Sequence, residues 1–222
     1  MREAFEGRSL YLVVDPRPGA ARVLPKIDAA LAGGVDVVQI WNHWADGQDA
    51  VEFVERTIAL ARPRGVPVLV HERLDLLRKT SADGLHYDEP FLDPSEVREA
   101  VGRDVLYGVT AGNALERVDW AAREGADYVS FCSMFPSRSA DACEIVAPST
   151  LTAARMRYPT LTIYASGGIT PENVPQVLAA GADGVAVISG ILGAADPEAA
   201  AKRYADAIRA ARSTRYATRT TT

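Results

Sequence analysis

Hydrophobic positions along this chain recur in short runs, and the runs alternate with longer stretches of helical spacing. The runs that read as buried strands are SLYLVV (9–14), AGGVDVVQI (32–40), VPVLV (66–70), SADGLHY (81–87), DVLYGV (104–109), REGADYVSF (123–131), LTIYA (161–165) and AAGADGVAVIS (179–189). Four of them share a lead-in: a helical stretch ends at Gly or Ala, an Asp follows, and the apolar run begins. Glycine closes a helix cheaply because it adopts the left-handed cap conformation. Apolar runs this continuous belong to strands that helices cover on the sheet face.

Helices fill the gaps. DAVEFVERTIALA (49–61) carries apolar residues at 51, 53, 54, 58, 60 and 61, close to helical spacing. AARVLPKIDAALA (20–32) follows the first strand, and its Pro25 must bend the helix or fall in its first turn. Asp93-Pro94 and Thr170-Pro171 pair a capping residue with a proline and predict helix starts. Asn113 and Pro148 predict two more starts, and DPEAAAKRYADAIRAA (196–211) closes the pattern. Strands and helices alternating in this number predict an α/β fold, a (β/α)8 TIM barrel, with a doubly wound sheet as the alternative. No linker interrupts the pattern, so a single domain is expected over 1–222, with a polar tail at 212–222 that should fray.

Composition narrows the function. At 222 residues and 48% hydrophobic, the chain can build one barrel-sized core. A net charge of -5 and a pI near 5.3 argue against a nucleic-acid surface. Cys132 and Cys143 have neither metal-ligand spacing nor a disulfide framework, so a reducing, cytoplasmic setting is expected. The apolar run in MREAFEGRSLYLVVD is too short for a signal peptide core or a membrane span. Small molecules are the expected partners, bound by a monomer or a homodimer.

In such barrels the chemistry sits at the C-terminal ends of the strands, and a phosphate often binds the loops after strands seven and eight. After LTIYA the chain reads SGGITPEN, where Ser166, Gly167 and Gly168 let the backbone approach an anion. After GVAVI, Ser189 and Gly190 offer a second such turn; tight turns alone would also explain these glycines. The long loop after strand six, FCSMFPSRSAD (131–141), offers Ser137, Arg138 and Ser139 to a further anionic group. Alternation there places Ser130 and Cys132 on the barrel interior and Val129 and Phe131 against the helices. Cys132 then reads as a small packing residue, without a basic neighbour to make it a nucleophile.

The segments YLVVD, AGGVDVVQI, GVPVLVHERLDL, ADGLHY, YGVTAGN, GADYVSFCSMFPSRS and ASGGITPENVPQVLAAGADGVAVISGI, in this order, resemble the thiamin phosphate synthase and TenI family over residues 10–209. The resemblance implies the (β/α)8 barrel. It also implies one of two activities. The synthases join hydroxymethyl-pyrimidine pyrophosphate to a thiazole phosphate with Mg2+ and release pyrophosphate. The TenI branch tautomerises a thiazole carboxylate phosphate. A non-catalytic protein that binds a phosphate ester is a third possibility. By resemblance, Gln39 contacts the pyrimidine, Thr110 the pyrophosphate region, and Gly167, Gly168, Ile188 and Ser189 the thiazole phosphate. Ser137 and Ser139 replace two threonines and keep their hydroxyls.

Other positions depart from the family pattern. Where the synthases read Q-L-R-E-K after strand two, this chain reads Gln39-Ile40-Trp41-Asn42-His43. Trp41 and His43 thus stand in place of the cations that neutralise pyrophosphate. If period two persists, both share the ligand face with Gln39. The N-D-R after strand three becomes His71-Glu72-Arg73, an expected catalytic cluster in which Glu72 keeps an oxygen for metal. A metal-binding aspartate expected after strand four falls on Phe91, leaving Asp88 and Glu89 as substitutes. The loop lysine falls on Ala140 and the TenI histidine on Ser133. Arg73 and Arg138 are the expected replacement cations, and His86 reads as structural rather than catalytic.

Overall fold

The computed structural model describes residues 5–137 and 144–219, with side chains described through residue 213. Its strands are β1 (Leu10–Val14), β2 (Val37–Ile40), β3 (Val68–His71), β4 (Gly84–Tyr87), β5 (Leu106–Thr110), β6 (Tyr128–Phe131), β7 (Thr162–Ser166) and β8 (Gly184–Val187). Each pairs in parallel with its sequence neighbours, and β8 pairs with β1, so the sheet closes into a barrel. The helices are α1 (Ala20–Ala32), α2 (Ala50–Ala61), α3 (Leu74–Lys79), α4 (Pro94–Val101), α5 (Leu115–Glu124), α6 (Pro148–Arg157), α7 (Val174–Ala180), α8 (Ser189–Leu192) and α9 (Pro197–Arg219). This is the (β/α)8 barrel that the alternation predicts.

Period two along each strand divides the core into two compartments. Val38, Ile40, Val70, Leu85, Val109, Val129, Phe131 and Val185 point outward into the apolar layer shared with the helices. Tyr11, Val37, Leu69, Leu106, Tyr128, Tyr164 and Ala186 fill the barrel axis, and Phe5 packs on Tyr128 from the N-terminal end at a ring separation of 4.8 Å. Room for these rings comes from Gly108: a Cβ there would lie 2.0 Å from Tyr128 Cζ.

The shared Asp of the lead-ins has a structural role. Asp36 accepts from Ser9 and Leu10 N–H, Asp83 from Val68 N–H, Asp127 from Tyr107 N–H and Asp183 from Ile163 N–H. Each aspartate precedes an even-numbered strand and caps the odd-numbered strand before it. Those N–H groups lie at strand starts, where the ladder provides no partner and a buried donor would otherwise be unsatisfied.

Several helix starts match the sequence and some shift. Asp93 forms a capping box with Glu96, Pro148 takes the first position of α6, and Asp196 caps Ala199 N–H. Pro171 does not open α7. That helix begins at Val174 because Asn173 Oδ1 accepts Thr170 N–H and holds residues 170–173 in a separate turn. α5 starts at Leu115, two positions after Asn113. Pro25 lies in the second turn of α1, not the first. α9 runs on to Arg219, past the end expected at 211. Among the described residues no helix is long and apolar enough to cross a membrane.

Candidate active site

The inward side chains become small or polar toward the C-terminal end of the barrel. Above the tyrosine layer come Gln39 on β2, His71 on β3, His86 on β4, Thr110 on β5, Ser130 on β6 and Ser166 on β7. All of these except His71 line a cavity of about 750 Å3; His71, like Glu72 after it, stands outside that lining. The cavity's size suits a drug-sized or two-part ligand. Its lining includes Gln39, Trp41, Asp88, Thr110, Arg117, Ser137, Gly167, Gly168, Ile188, Ser189 and Gly190. Ser130 and Cys132 also line it, while Val129 and Phe131 are in the helix-facing core, as alternation predicts.

One wall is built from glycine-rich turns. Gly167 and Gly168 adopt φ of 82° and 64°, a region that side chains enter with strain. A Cβ on Gly167 would lie 1.9 Å from Ser133 Oγ, and one on Gly168 would lie 2.6 Å from the Pro136 carbonyl. Ser189 and Gly190 form the first turn of α8, where N–H groups have no partner within the helix. Gly190 also has a packing reason, since a Cβ there would meet Tyr204 Oη at 2.2 Å.

Trp41 brings an aromatic ring to the lining beyond β2, its N–H still bonded to the Val14 carbonyl at 2.9 Å. His43 does not share that face. β2 ends at Ile40, period two lapses, and the His43 ring instead stacks on Trp41 at 3.8 Å and 27°. The expectation that His43 contacts ligand is therefore corrected: it packs on Trp41 and does not line the cavity.

A polar row links side chains of several strands. Tyr11 donates to Gln39 Oε1 at 2.7 Å, and the Tyr11 and Tyr128 hydroxyls lie 2.7 Å apart. The Tyr128 hydroxyl is 2.8 Å from His86 Nδ1, and His86 Nε2 is 3.0 Å from Thr110 Oγ1. Thr110 Oγ1 is 3.4 Å from Asp88 Oδ1. Burial, helped by the neighbouring His71, pushes the His86 pKa down to about 3, so the ring is neutral. Burial raises the Tyr11 and Tyr128 phenols far above their ordinary range. For Asp88, burial acts upward, but contacts to His71, His86 and Thr110 outweigh it and hold the carboxyl below the usual range.

His71, Glu72 and Asp88 bring ligand atoms within 4.8 Å of one another, and no other group of His, Cys or acidic side chains among the described residues does so. Glu72 sits at φ 55°, and its Oε1 accepts the Asp88 N–H at 3.4 Å. The buried His71 Nε2 has no hydrogen-bond partner; Asp88 Oδ1 is 3.2 Å away but out of line. His71 Nδ1 accepts the Asn42 N–H at 3.4 Å, so Nε2 carries the ring proton, and the two carboxylates are the donors that fit a divalent cation.

The cations differ from the expected ones. Arg73 heads α3 with its guanidinium on Asp75, at 2.6 and 2.8 Å, and does not line the cavity. Its role as a catalytic cation is corrected accordingly. Arg138 and Ser139 lie outside the described residues. Arg117, which the sequence reading passed over, does line the cavity from the first turn of α5, held by Glu89 at 2.7 Å and the Asp88 carbonyl at 3.2 Å. Its position just after the C-terminal end of β5 was the available signal. Phe91, in place of the family aspartate, is 78% exposed.

A closed eight-stranded barrel with a glycine-lined, polar and partly aromatic cavity at the C-terminal ends of its strands defines a TIM-fold protein with its site where such barrels carry their chemistry. Comparison with known proteins makes this specific. Residues 10–191 match the model of the thiamine monophosphate synthase family. The chain is 37% identical over 203 residues to a thiamine-phosphate synthase of Bordetella pertussis, covering 89% of this chain and 94% of that protein. It is 36% identical over 205 residues to the Moorella thermoacetica thiamine-phosphate synthase, covering 91% and 97%. A bifunctional thiamine biosynthesis protein of Geobacter sulfurreducens is 38% identical over 198 residues; the match spans 89% of this chain but 39% of that longer protein. Among solved structures, thiamine phosphate pyrophosphorylase from Pyrococcus furiosus superposes with a TM-score of 0.80 at 24% identity, covering 95% of this chain and 98% of that one. The chain belongs to the thiamine monophosphate synthase family.

Proposed function

We propose that this protein is a thiamin phosphate synthase: a transferase that joins hydroxymethyl-pyrimidine pyrophosphate to a thiazole phosphate and releases pyrophosphate. The observation that carries this reading is that one cavity holds a phosphate cradle (Gly167, Gly168, Ile188, Ser189, Gly190) together with Gln39, Trp41 and Thr110. The cradle takes the thiazole phosphate through backbone N–H groups. Gln39 hydrogen-bonds the pyrimidine, and Trp41 stacks on its flat ring. Thr110 and Ser137 donate to the pyrophosphate. Arg117 supplies the positive charge that the family's missing arginine and lysine would have given.

Glu72 and Asp88, with His71 beside them, would hold Mg2+. Bound there, the ion would offset the negative charge of the departing pyrophosphate. The chain's own task is to keep that charge matched as the carbon–oxygen bond breaks, because donors fixed in place cost no reorganisation at that moment. Tautomerase chemistry has less support. Ser133, at the position of the TenI histidine, is buried and donates to the Phe135 carbonyl at 2.8 Å.

Calorimetry on the two substrates separately tests the assignment of the walls. Gly168→Ala should weaken thiazole phosphate at least tenfold and leave the pyrimidine pyrophosphate unchanged. Equal binding of thiazole phosphate by both proteins would remove the cradle from the account.

A further inference from the structure

Among the described residues three acidic side chains belong to the cavity lining, and two of them are engaged. Asp88 Oδ1 lies 3.4 Å from Thr110 Oγ1, and Glu89 binds Arg117 at 2.7 Å. The third, Glu144, has no side-chain hydrogen bond or ion pair. Its main chain, by contrast, is fixed on both sides. Ser133 N–H donates to the Glu144 carbonyl at 3.3 Å, Val146 N–H donates to the Ser133 carbonyl at 2.8 Å, and Asn113 Nδ2 donates to the Ile145 carbonyl at 3.1 Å. Ser133 in turn packs on the turn after β7, where its Oγ lies 1.9 Å from a Cβ built on Gly167. Since β6 pairs with both β5 and β7, Glu144 is held between Asn113, in the loop after β5, and Gly167, in the loop after β7.

A bare carboxylate works against two anionic ligands unless a positive charge forms near it. The synthase reaction forms one. The thiazole ring nitrogen gives its lone pair to the methylene carbon of the pyrimidine. The bond from that carbon to oxygen breaks, and its electron pair leaves with pyrophosphate. No proton moves, and the thiazole becomes a thiazolium cation. We propose that Glu144 is the counter-charge for this cation. The inference rests on the synthase reading, which puts the departing pyrophosphate at Thr110 on β5 and the thiazole phosphate at Gly167 and Gly168 after β7. The nitrogen that joins the two substrates then lies between those loops, on the side of β6 from which Glu144 enters the lining. A carboxylate gains little from the neutral ring and more as charge grows on it, so its attraction is spent on the transition state and the product.

Calorimetry with thiazole phosphate and its N-methylthiazolium counterpart isolates that charge without turnover. The wild type should bind the cation about tenfold tighter than the neutral ring. Glu144→Gln should lose this preference while binding thiazole phosphate within about twofold of the wild type. Glu144→Asp, which keeps the charge, should retain most of the preference. In single-turnover assays Glu144→Gln should form thiamin phosphate about tenfold more slowly. Equal affinity for the two ligands in the wild type, an undiminished preference in Glu144→Gln, or the same loss in Glu144→Asp as in Glu144→Gln overturns the inference. Thiamin phosphate formed equally fast by the wild type and Glu144→Gln would sink this inference alone. The charge preference without product formation would leave the thiazolium site standing and sink the synthase reading alone.

Discussion

The Trp41 and His43 rings stack at 3.8 Å, with 27° between their planes. Trp41 lines the cavity and His43 does not, so the histidine acts as a brace on the tryptophan. Stacking contributes about 0.5–1.5 kcal/mol beyond burial. Trp41→Ala should raise KM for the pyrimidine substrate by about three- to tenfold, and Trp41→Phe should recover most of the loss. His43→Gln should change KM little. Steady-state kinetics on the three variants checks the order; a larger effect at His43 than at Trp41 would place the histidine against the ligand.

Arg117 and Arg73 make opposite predictions. Each pairs with a carboxylate, Arg117 with Glu89 and Arg73 with Asp75, but Arg117 lines the cavity and Arg73 does not. Removing a donor to developing charge costs about 2.7–4 kcal/mol. Arg117→Ala should therefore lower kcat by roughly two to three orders of magnitude. Arg73→Ala should leave kcat within about twofold. The reverse order in pyrophosphate-release assays would return the role to Arg73.

His86 makes stability depend on pH. Its folded-state pKa is depressed from 6.5 to about 3, chiefly by burial. Between those values the unfolded chain binds a proton that the folded chain refuses, so stability rises with pH and is lost as pH falls. Urea midpoints should decline from about pH 6.5 downward, by an amount on the order of a few kcal/mol across the window. His86→Gln, which cannot titrate, should show a shallower decline over the same range. Parallel curves for the two proteins would contradict the buried neutral ring.

The barrel was legible because four of the eight strands carry the same lead-in and the inward–outward alternation is unbroken to the strand ends. Period two alone placed Ser130 and Cys132 inside the barrel mouth, where both line the cavity. The same logic failed at His43, since it holds only while the chain remains a strand, and β2 ends at Ile40. Asp36, Asp83, Asp127 and Asp183 were visible as a repeat. Their purpose was not, because each accepts from the start of a strand 15 to 27 residues before it, as Asp127 does from Tyr107. Arg117 was missed for a related reason: a helix arginine reads as solvated until the barrel brings its first turn over the mouth. The row from Gln39 to Thr110 spans several strands, so no local pattern could reveal it.

The most direct measurement is turnover by the purified protein, given pyrimidine pyrophosphate and thiazole phosphate with and without Mg2+. Pyrophosphate and thiamin phosphate should appear in equal amounts and only with metal. Failure to form thiamin phosphate while thiazole phosphate still binds would contradict the account: the cradle would then serve a different second ligand behind Trp41.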